Sequence, residues 1–192
     1  MRLILVRHGE TDENAKEIVQ GHTDTLLNEK GKEQARKVSL RLKDEKIDMI
    51  FSSDLRRARE TAEEISKFHN VPVKLSKELR ERNYGSVELK FVREYSDILE
   101  KSGKARYAFK PEGGESFPDV VERAKRFLEK IQKYEGKTVV IVSHGGFIRM
   151  LLSLLTGKSM EEAGSIKIYN TAVSIIEADK EHIINCTKHL DQ

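Results

Sequence analysis

Apolar positions in this chain fall into two patterns: short unbroken runs and stripes at helical spacing. Leu3-Ile4-Leu5-Val6, Met49-Ile50-Phe51 after Asp48, and Thr138-Val139-Val140-Ile141-Val142 are runs of strand length, partly β-branched and bounded by polar residues. Continuous runs of this kind suit strands of a parallel sheet covered on both faces. Val71-Pro72-Val73-Lys74-Leu75 is a further short strand. Pro72 has no N–H to give to a ladder, which places this strand at a sheet edge or gives it an irregular start. Ala172 to Ala178 and His182 to Thr187 read as a hairpin turning at Asp179-Lys180-Glu181, with His182 and His189 at the surface.

Between the runs lie the stripes. Asn28 is placed to cap a helix reaching about Asp44, with Ala35, Val38 and Leu42 on its inner face. A second helix runs from near Asp54 to about His69 and buries Leu55, Ala58, Ala62 and Ile65, with Arg57 off that stripe in its first turn. A third follows Ser116 and turns Val120, Ala124, Phe127 and Ile131 inward. Gly145 to Leu155 is apolar nearly all round, so it is a buried helix, closed by Gly157. Strands alternating with helices predict an α/β fold, a three-layer α/β/α sandwich around a mostly parallel central sheet.

Two stretches have no period. Glu10 to Thr25 is polar and reads as a loop whose ligand contacts are Asn14, Gln20, Gly21 and Thr23, with His22 solvated. Residues from about 84 to 115 are mixed and charged, with a short helix over Phe91 to Leu99. This stretch reads as a lid-like excursion from a single domain spanning 1–192.

Composition narrows the function classes. Of 192 residues 35% are charged, the net charge is +3 and the signs are interspersed, which gives neither a nucleic-acid stripe nor a membrane-binding face. No apolar run reaches transmembrane length, and Leu3 to Val6 is too short for a signal peptide. The single cysteine, Cys186, excludes an internal disulfide, and a cytoplasmic enzyme is the expectation. A homodimer is compatible with all of this.

The chemistry gathers at strand ends. The first run leads into Arg7-His8-Gly9, the second into Ser52-Ser53-Asp54-Leu55-Arg56-Arg57, and the third into Ser143-His144-Gly145-Gly146. In a parallel sheet these ends share one edge, where ligands of open α/β sheets bind. Two histidines and two or three arginines around one site call for an anion, and a phosphate suits the arginine fork. Gly9 lets backbone approach that ligand, and the helix start at Gly145 and Gly146 offers backbone N–H groups to it.

Arg7-His8-Gly9-Glu10-Thr11 with Asn14 and Gln20-Gly21, then Ser52 to Ala58, then Glu81-x-x-Tyr84-Gly85, then Ser143-His144-Gly145-Gly146 resembles the histidine phosphatase superfamily. That group includes the cofactor-dependent phosphoglycerate mutases, and the motifs span the chain in the family's order. The resemblance implies a phosphoglycerate mutase-like fold and a metal-independent phosphohydrolase. It would act on small phosphomonoesters through a phosphohistidine on His8. Arg7, Arg57 and His144 would bind the phosphoryl oxygens, and Asn14 would add a neutral donor. Glu81 would be the general acid and base, a role that asks for partial burial. No cofactor is implied, and no metal. Reading His8, His144 and Glu81 as metal ligands sets an ion beside arginines that repel it. The alternative activity is a 2,3-bisphosphoglycerate-dependent phosphoglycerate mutase, with 2,3-bisphosphoglycerate as primer. An inactive binding module on the same scaffold is the third reading. Two departures bear on substrate: Val87-Glu88-Leu89 stands where family phosphatases have Trp-Glu-Gly, and Leu26 where they have Pro. Glu81-Arg82-x-Tyr84-Gly85 leans to the mutases, and Lys90, Arg93, Lys101, Lys104 and Arg106 could hold a second phosphate.

Overall fold

The computed structural model describes residues 1–177 and 182–191. Its sheet is centred on the opening run. Strand β1 (Arg2–Arg7) lies between β4 (Thr138–Ser143), parallel to it, and β5 (Val173–Glu177), antiparallel to it. With β2 (Met49–Ser53), β3 (Val73–Ser76) and β6 (Ile183–Cys186) the order is β3-β2-β4-β1-β5-β6. The strands β1 to β4 are mutually parallel, so the sheet is mostly parallel as the apolar runs predict. β3 stands at an edge, directly after Pro72. The strands β5 and β6 pair antiparallel, whereas the turn expected between them lies outside the described residues.

Side chains of β1 alternate between two cores, as the pleat requires. Leu3 and Leu5 join α5 (Phe117–Ile131) and α6 (Gly145–Thr156) on one face. Ile4 and Val6 join α2 (Glu29–Leu42) and α3 (Arg56–Ser66) on the other. The helices therefore form the two outer layers of the sandwich. Asn28 caps α2 as expected, its side chain accepting from the Gly31 N–H at 2.8 Å. Removing one such buried anchor, Leu5 for example, costs about 2–5 kcal/mol.

The segment read as an aperiodic loop contains one helical turn. Thr11 and Asn14 close a capping box on α1 (Asp12–Ala15), too short to leave a period in sequence. The excursion carries α4 (Val92–Lys101) and its own small apolar cluster of Val19, Val87, Tyr95 and Phe109. It is tied down by Arg82, which is fully buried. That guanidinium donates to Glu115 O at 2.7 Å, Phe109 O at 2.6 Å and the Tyr95 hydroxyl at 3.2 Å, sandwiched between the rings of Tyr84 and Phe117. The remaining helix, α7 (Met160–Ser165), packs against α6.

His189, expected at the surface, is 6% exposed. It lies 3.2 Å from the Thr171 hydroxyl and 3.1 Å from Arg41, and burial beside Arg41 and Lys37 lowers its pKa to about 4. The tail folds back across α2 and covers it, which no local pattern announces.

Candidate active site

Parallel pairing does the first part of the work. Register sets Arg7 opposite Ser143, so the next residues, His8 and His144, emerge side by side at the sheet's carboxyl edge. The His8 N–H donates to Ser143 O at 2.9 Å, and the two imidazoles sit 5.0 Å apart between centroids. Arg57 arrives from the first turn of α3, just beyond β2, and is 1% exposed.

Hydrogen bonds fix both imidazoles. His8 Nδ1 lies 2.7 Å from its neighbour's carbonyl, Gly9 O. A carbonyl only accepts, so Nδ1 carries the proton and Nε2 keeps a bare lone pair. His144 is the reverse. Arg57 Nε donates to its Nδ1 at 3.3 Å, which leaves the proton on Nε2. That Nε2 is buried with no hydrogen-bond partner among the described residues, and so is Arg7 Nε. Burial, Arg57 and Arg7 hold His8 well below the usual imidazole pKa; burial, Arg57 and His8 do the same to His144. At neutral pH the site therefore presents one uncharged imidazole with a bare lone pair and one uncharged donor. Burial lowers Arg7 and Arg57 to about 10, and both remain cations there.

Supports reach these groups from several elements. Arg57 gives Nη2 to Gly21 O at 2.8 Å and Nη1 to Thr23 O at 2.7 Å, so the 20–25 loop is shaped around it. Glu88 clamps the loop from outside. It accepts from the His22 N–H at 2.8 Å, the Thr23 N–H at 2.9 Å and the Thr23 hydroxyl at 2.7 Å. Asn170 donates to His8 O at 3.0 Å and to Asn14 Oδ1 at 3.2 Å. The Thr11 N–H also donates to that Oδ1, so Asn14 turns its amide N–H groups to the cavity it lines.

Glu81 is half-buried, as expected. Its carboxylate accepts from the N–H groups of Gly146 at 3.0 Å, Phe147 at 3.1 Å and Arg82 at 2.8 Å. Thus the anion held at the start of α6 is this side chain, and the expectation that Gly146 serves the ligand is corrected. A Cβ on Gly146 would lie 2.4 Å from Glu81 Oε1. Gly9 is corrected too: a Cβ there would lie 2.4 Å from Gly31 O, so glycine permits packing of the β1 loop on α2 rather than ligand approach.

A cavity of about 220 Å³ brings together Arg7, His8, Asn14, Gln20, Gly21, Arg57, Glu81 and Gly145. Of the predicted site residues His144, whose ring adjoins that of His8, and Thr23, whose hydroxyl serves Glu88, are not in the lining. His22, expected in solvent, places Nε2 2.8 Å from Glu81 O. Of the five basic residues of the excursion only Arg106 reaches the cavity. Tyr84 and Arg149 line it as well; burial and Glu81 push Tyr84 up to about 12. Sequence reasoning missed Arg149, Asn170 and the clamp by Glu88. Arg149 was legible, one turn after Gly145 on the same helix face; the other two depend on tertiary contact. Among the described residues no group of three or more His, Cys, Asp or Glu is placed to hold a metal ion, and no helix is long and apolar enough to cross a membrane.

This geometry coincides with a family pattern over residues 3–187, that of the histidine phosphatase superfamily, branch 1. The chain belongs to the histidine phosphatase superfamily. It is 37% identical to a broad-specificity phosphatase of Saccharomyces cerevisiae, covering 94% of this chain and 81% of the relative. It is 36% identical to a metal-independent phosphoserine phosphatase of Arabidopsis thaliana, covering 95% and 79%. Among solved structures, phosphoserine phosphatase from Entamoeba histolytica in complex with 3-phosphoglyceric acid superposes with a TM-score of 0.85 at 31% identity over 98% of both chains. As a member of this superfamily the chain is a phosphatase acting on phosphomonoesters, with a phosphoglycerate mutase-like fold.

Proposed function

We propose that this phosphatase moves a phosphoryl group from a small phosphomonoester first to His8 and then to water, without a metal. The bare lone pair of His8 Nε2, fixed by the 2.7 Å contact of Nδ1 with Gly9 O, is the observation that carries this reading. In the first step Nε2 forms a bond to phosphorus while the ester P–O bond breaks. Glu81, as general acid, turns from the start of α6 and gives a proton to the leaving oxygen. In the second step a water oxygen attacks phosphorus, the N–P bond breaks, Glu81 takes a proton from that water, and inorganic phosphate leaves. Arg7, Arg57, Asn14 and the Nε2–H of His144 surround the phosphoryl oxygens and supply the positive field that a metal would otherwise give. Gln20, Gly21 and Gly145 complete the walls. Hydrolysis is favoured over mutase chemistry because four of the five basic residues of the excursion, Lys90, Arg93, Lys101 and Lys104, stay outside the cavity lining.

The test is a quenched reaction with a radiolabelled phosphomonoester in excess EDTA. We expect acid-labile label on wild-type protein, none on His8→Ala, and phosphate release unaffected by the chelator. Wild-type label or turnover surviving in His8→Ala would overturn the assignment, as would activity that EDTA removes and Mg²⁺ or Zn²⁺ restores.

A further inference from the structure

His8 is held from two sides. Its N–H donates to Ser143 O on β4 at 2.9 Å. The other hold is the turn that leads into β5. There the Thr171 N–H is shared between Arg7 O at 3.0 Å and His8 O at 3.3 Å, and Asn170 Nδ2 donates to His8 O at 3.0 Å. The same amide reaches Asn14 Oδ1 at 3.2 Å. His8 O and the Gly9 N–H belong to one peptide plane, and Gly9 O, one residue on, meets His8 Nδ1 at 2.7 Å. The turn at 170–171 therefore acts on the orientation of the imidazole through backbone alone.

This turn is strained. Thr171 has a φ of 53°, in the left-handed region, where a β-branched residue is an outlier that the surrounding contacts must hold. It is fully buried, and the contact to its hydroxyl comes from the end of the chain. Arg41 Nη1 lies 3.1 Å from His189 Nδ1; a guanidinium only donates, so Nδ1 accepts and Nε2 carries the ring proton. Nε2 lies 3.2 Å from Thr171 Oγ1, which accepts that proton's hydrogen bond. Arg41 Nη1 also donates to Cys186 O at 3.2 Å, so the imidazole has a fixed base. Neither His189 nor Thr171 lines the cavity at His8.

We propose that His189 is a positioning residue for phosphoryl transfer. Its Nε2–H holds Thr171 in the left-handed turn, and the turn holds the carbonyl of His8 and the amide of Asn14. This rests on the phosphohistidine reading above and adds to it a residue outside the cavity. Released, Thr171 relaxes towards an ordinary φ and the imidazole of His8 drifts; a displacement of about 1 Å costs about 10²-fold in rate.

Two substitutions at 189 separate the two ring nitrogens. His189→Gln carries an amide N–H to the level of Nε2 and can still donate to Thr171. His189→Asn ends at the level of Nδ1, where it can meet Arg41 but falls short of Thr171. The readouts are the rate of phosphoenzyme formation at saturating substrate, substrate affinity and Tm, with p-nitrophenyl phosphate and an alkyl phosphate as substrates. We expect His189→Asn to slow phosphorylation by about 10- to 100-fold on both, with affinity changed by less than about threefold, and His189→Gln to stay within about threefold of wild type. Glycine adopts the left-handed turn without strain, so in a Thr171→Gly background His189→Asn should cost less than about threefold. Should a variant at 189 not fold, its partner gives a second pair: Thr171→Ser keeps the acceptor and should stay active, whereas Thr171→Val removes it in the same outline and should slow phosphorylation as His189→Asn does. Equal rates for the Asn and Gln variants, or for the Ser and Val variants, overturn the positioning role. Slowing that tracks Tm alone, or an undiminished cost in the Thr171→Gly background, overturns it as well. A wild type that forms no phosphoenzyme overturns the phosphohistidine reading instead, and steady-state kcat of the same variants then judges His189 by the same comparison.

Discussion

Gly146→Ala separates the Glu81 carboxylate, the proposed general acid, from the helix that holds it. The added Cβ would lie 2.4 Å from Glu81 Oε1 and 3.2 Å from its Cδ, closer than atoms tolerate. Both atoms belong to the end of a flexible side chain, so the backbone can stay in place while Glu81 swings out. The swing breaks the hydrogen bonds from the Gly146 and Phe147 N–H groups. Bonds to a charged acceptor contribute about 1.5–3 kcal/mol each, and water recovers part of that for an exposed carboxylate. Alanine returns up to about 1 kcal/mol of helix propensity. We therefore expect a net destabilisation of only about 1–2 kcal/mol, or a few degrees in Tm at this chain length. Catalysis should suffer far more. A displaced general acid costs about 10²-fold or more on an alkyl phosphate. It should cost less than about tenfold on p-nitrophenyl phosphate, whose leaving group needs little protonation. The assay is kcat on both substrates beside a thermal melt. Equal slowing of the two, or no slowing of the alkyl ester, would refute the link between the start of α6 and Glu81.

Two further predictions concern protons and the loop. With His8 and His144 depressed well below the usual imidazole value and His189 at about 4, the unfolded chain binds more protons than the folded one below pH 6.5. Stability should thus be full above 6.5 and fall as pH drops towards 4, while His8 stays neutral through pH 6.5; a His8 NMR titration at or above 6.5 contradicts this. Glu88→Ala should release the 20–23 loop and its hold on Arg57, lowering kcat/KM by about 10- to 100-fold on every phosphomonoester irrespective of leaving group, and an unchanged value rejects the clamp.

The sheet was readable because its central strands are buried on both faces and so declare themselves as unbroken apolar runs. Those runs also placed His8, Arg57 and His144, since a parallel sheet leaves one edge for all three. Glu81 came from its motif alone; two of the three N–H groups that hold it lie more than 60 positions away on α6, and the third is that of the adjacent Arg82. What stayed illegible has a common cause. His22, Thr23, His189 and Asn170 are polar residues in irregular segments, and their burial depends on which distant element closes over them. Gly9 was read for the wrong neighbour for the same reason: sequence shows that a side chain is missing, not which backbone fills its place.

The grip of Arg82 bears on how substrate range could be rewritten. The residue next to Glu81 in the chain anchors the excursion, and it does so through two backbone carbonyls and one tyrosine hydroxyl. Carbonyls are indifferent to the residue that carries them. Most of the sequence between 84 and 115 is therefore free to vary while the attachment holds and the acid keeps its place. The front of the cavity behaves as an exchangeable module on a fixed mount. Engineering of selectivity has its natural target in Val92 and Arg106, which line the cavity from that module, and its natural boundary at Arg82, Glu88, Tyr95 and the chain positions of 109 and 115.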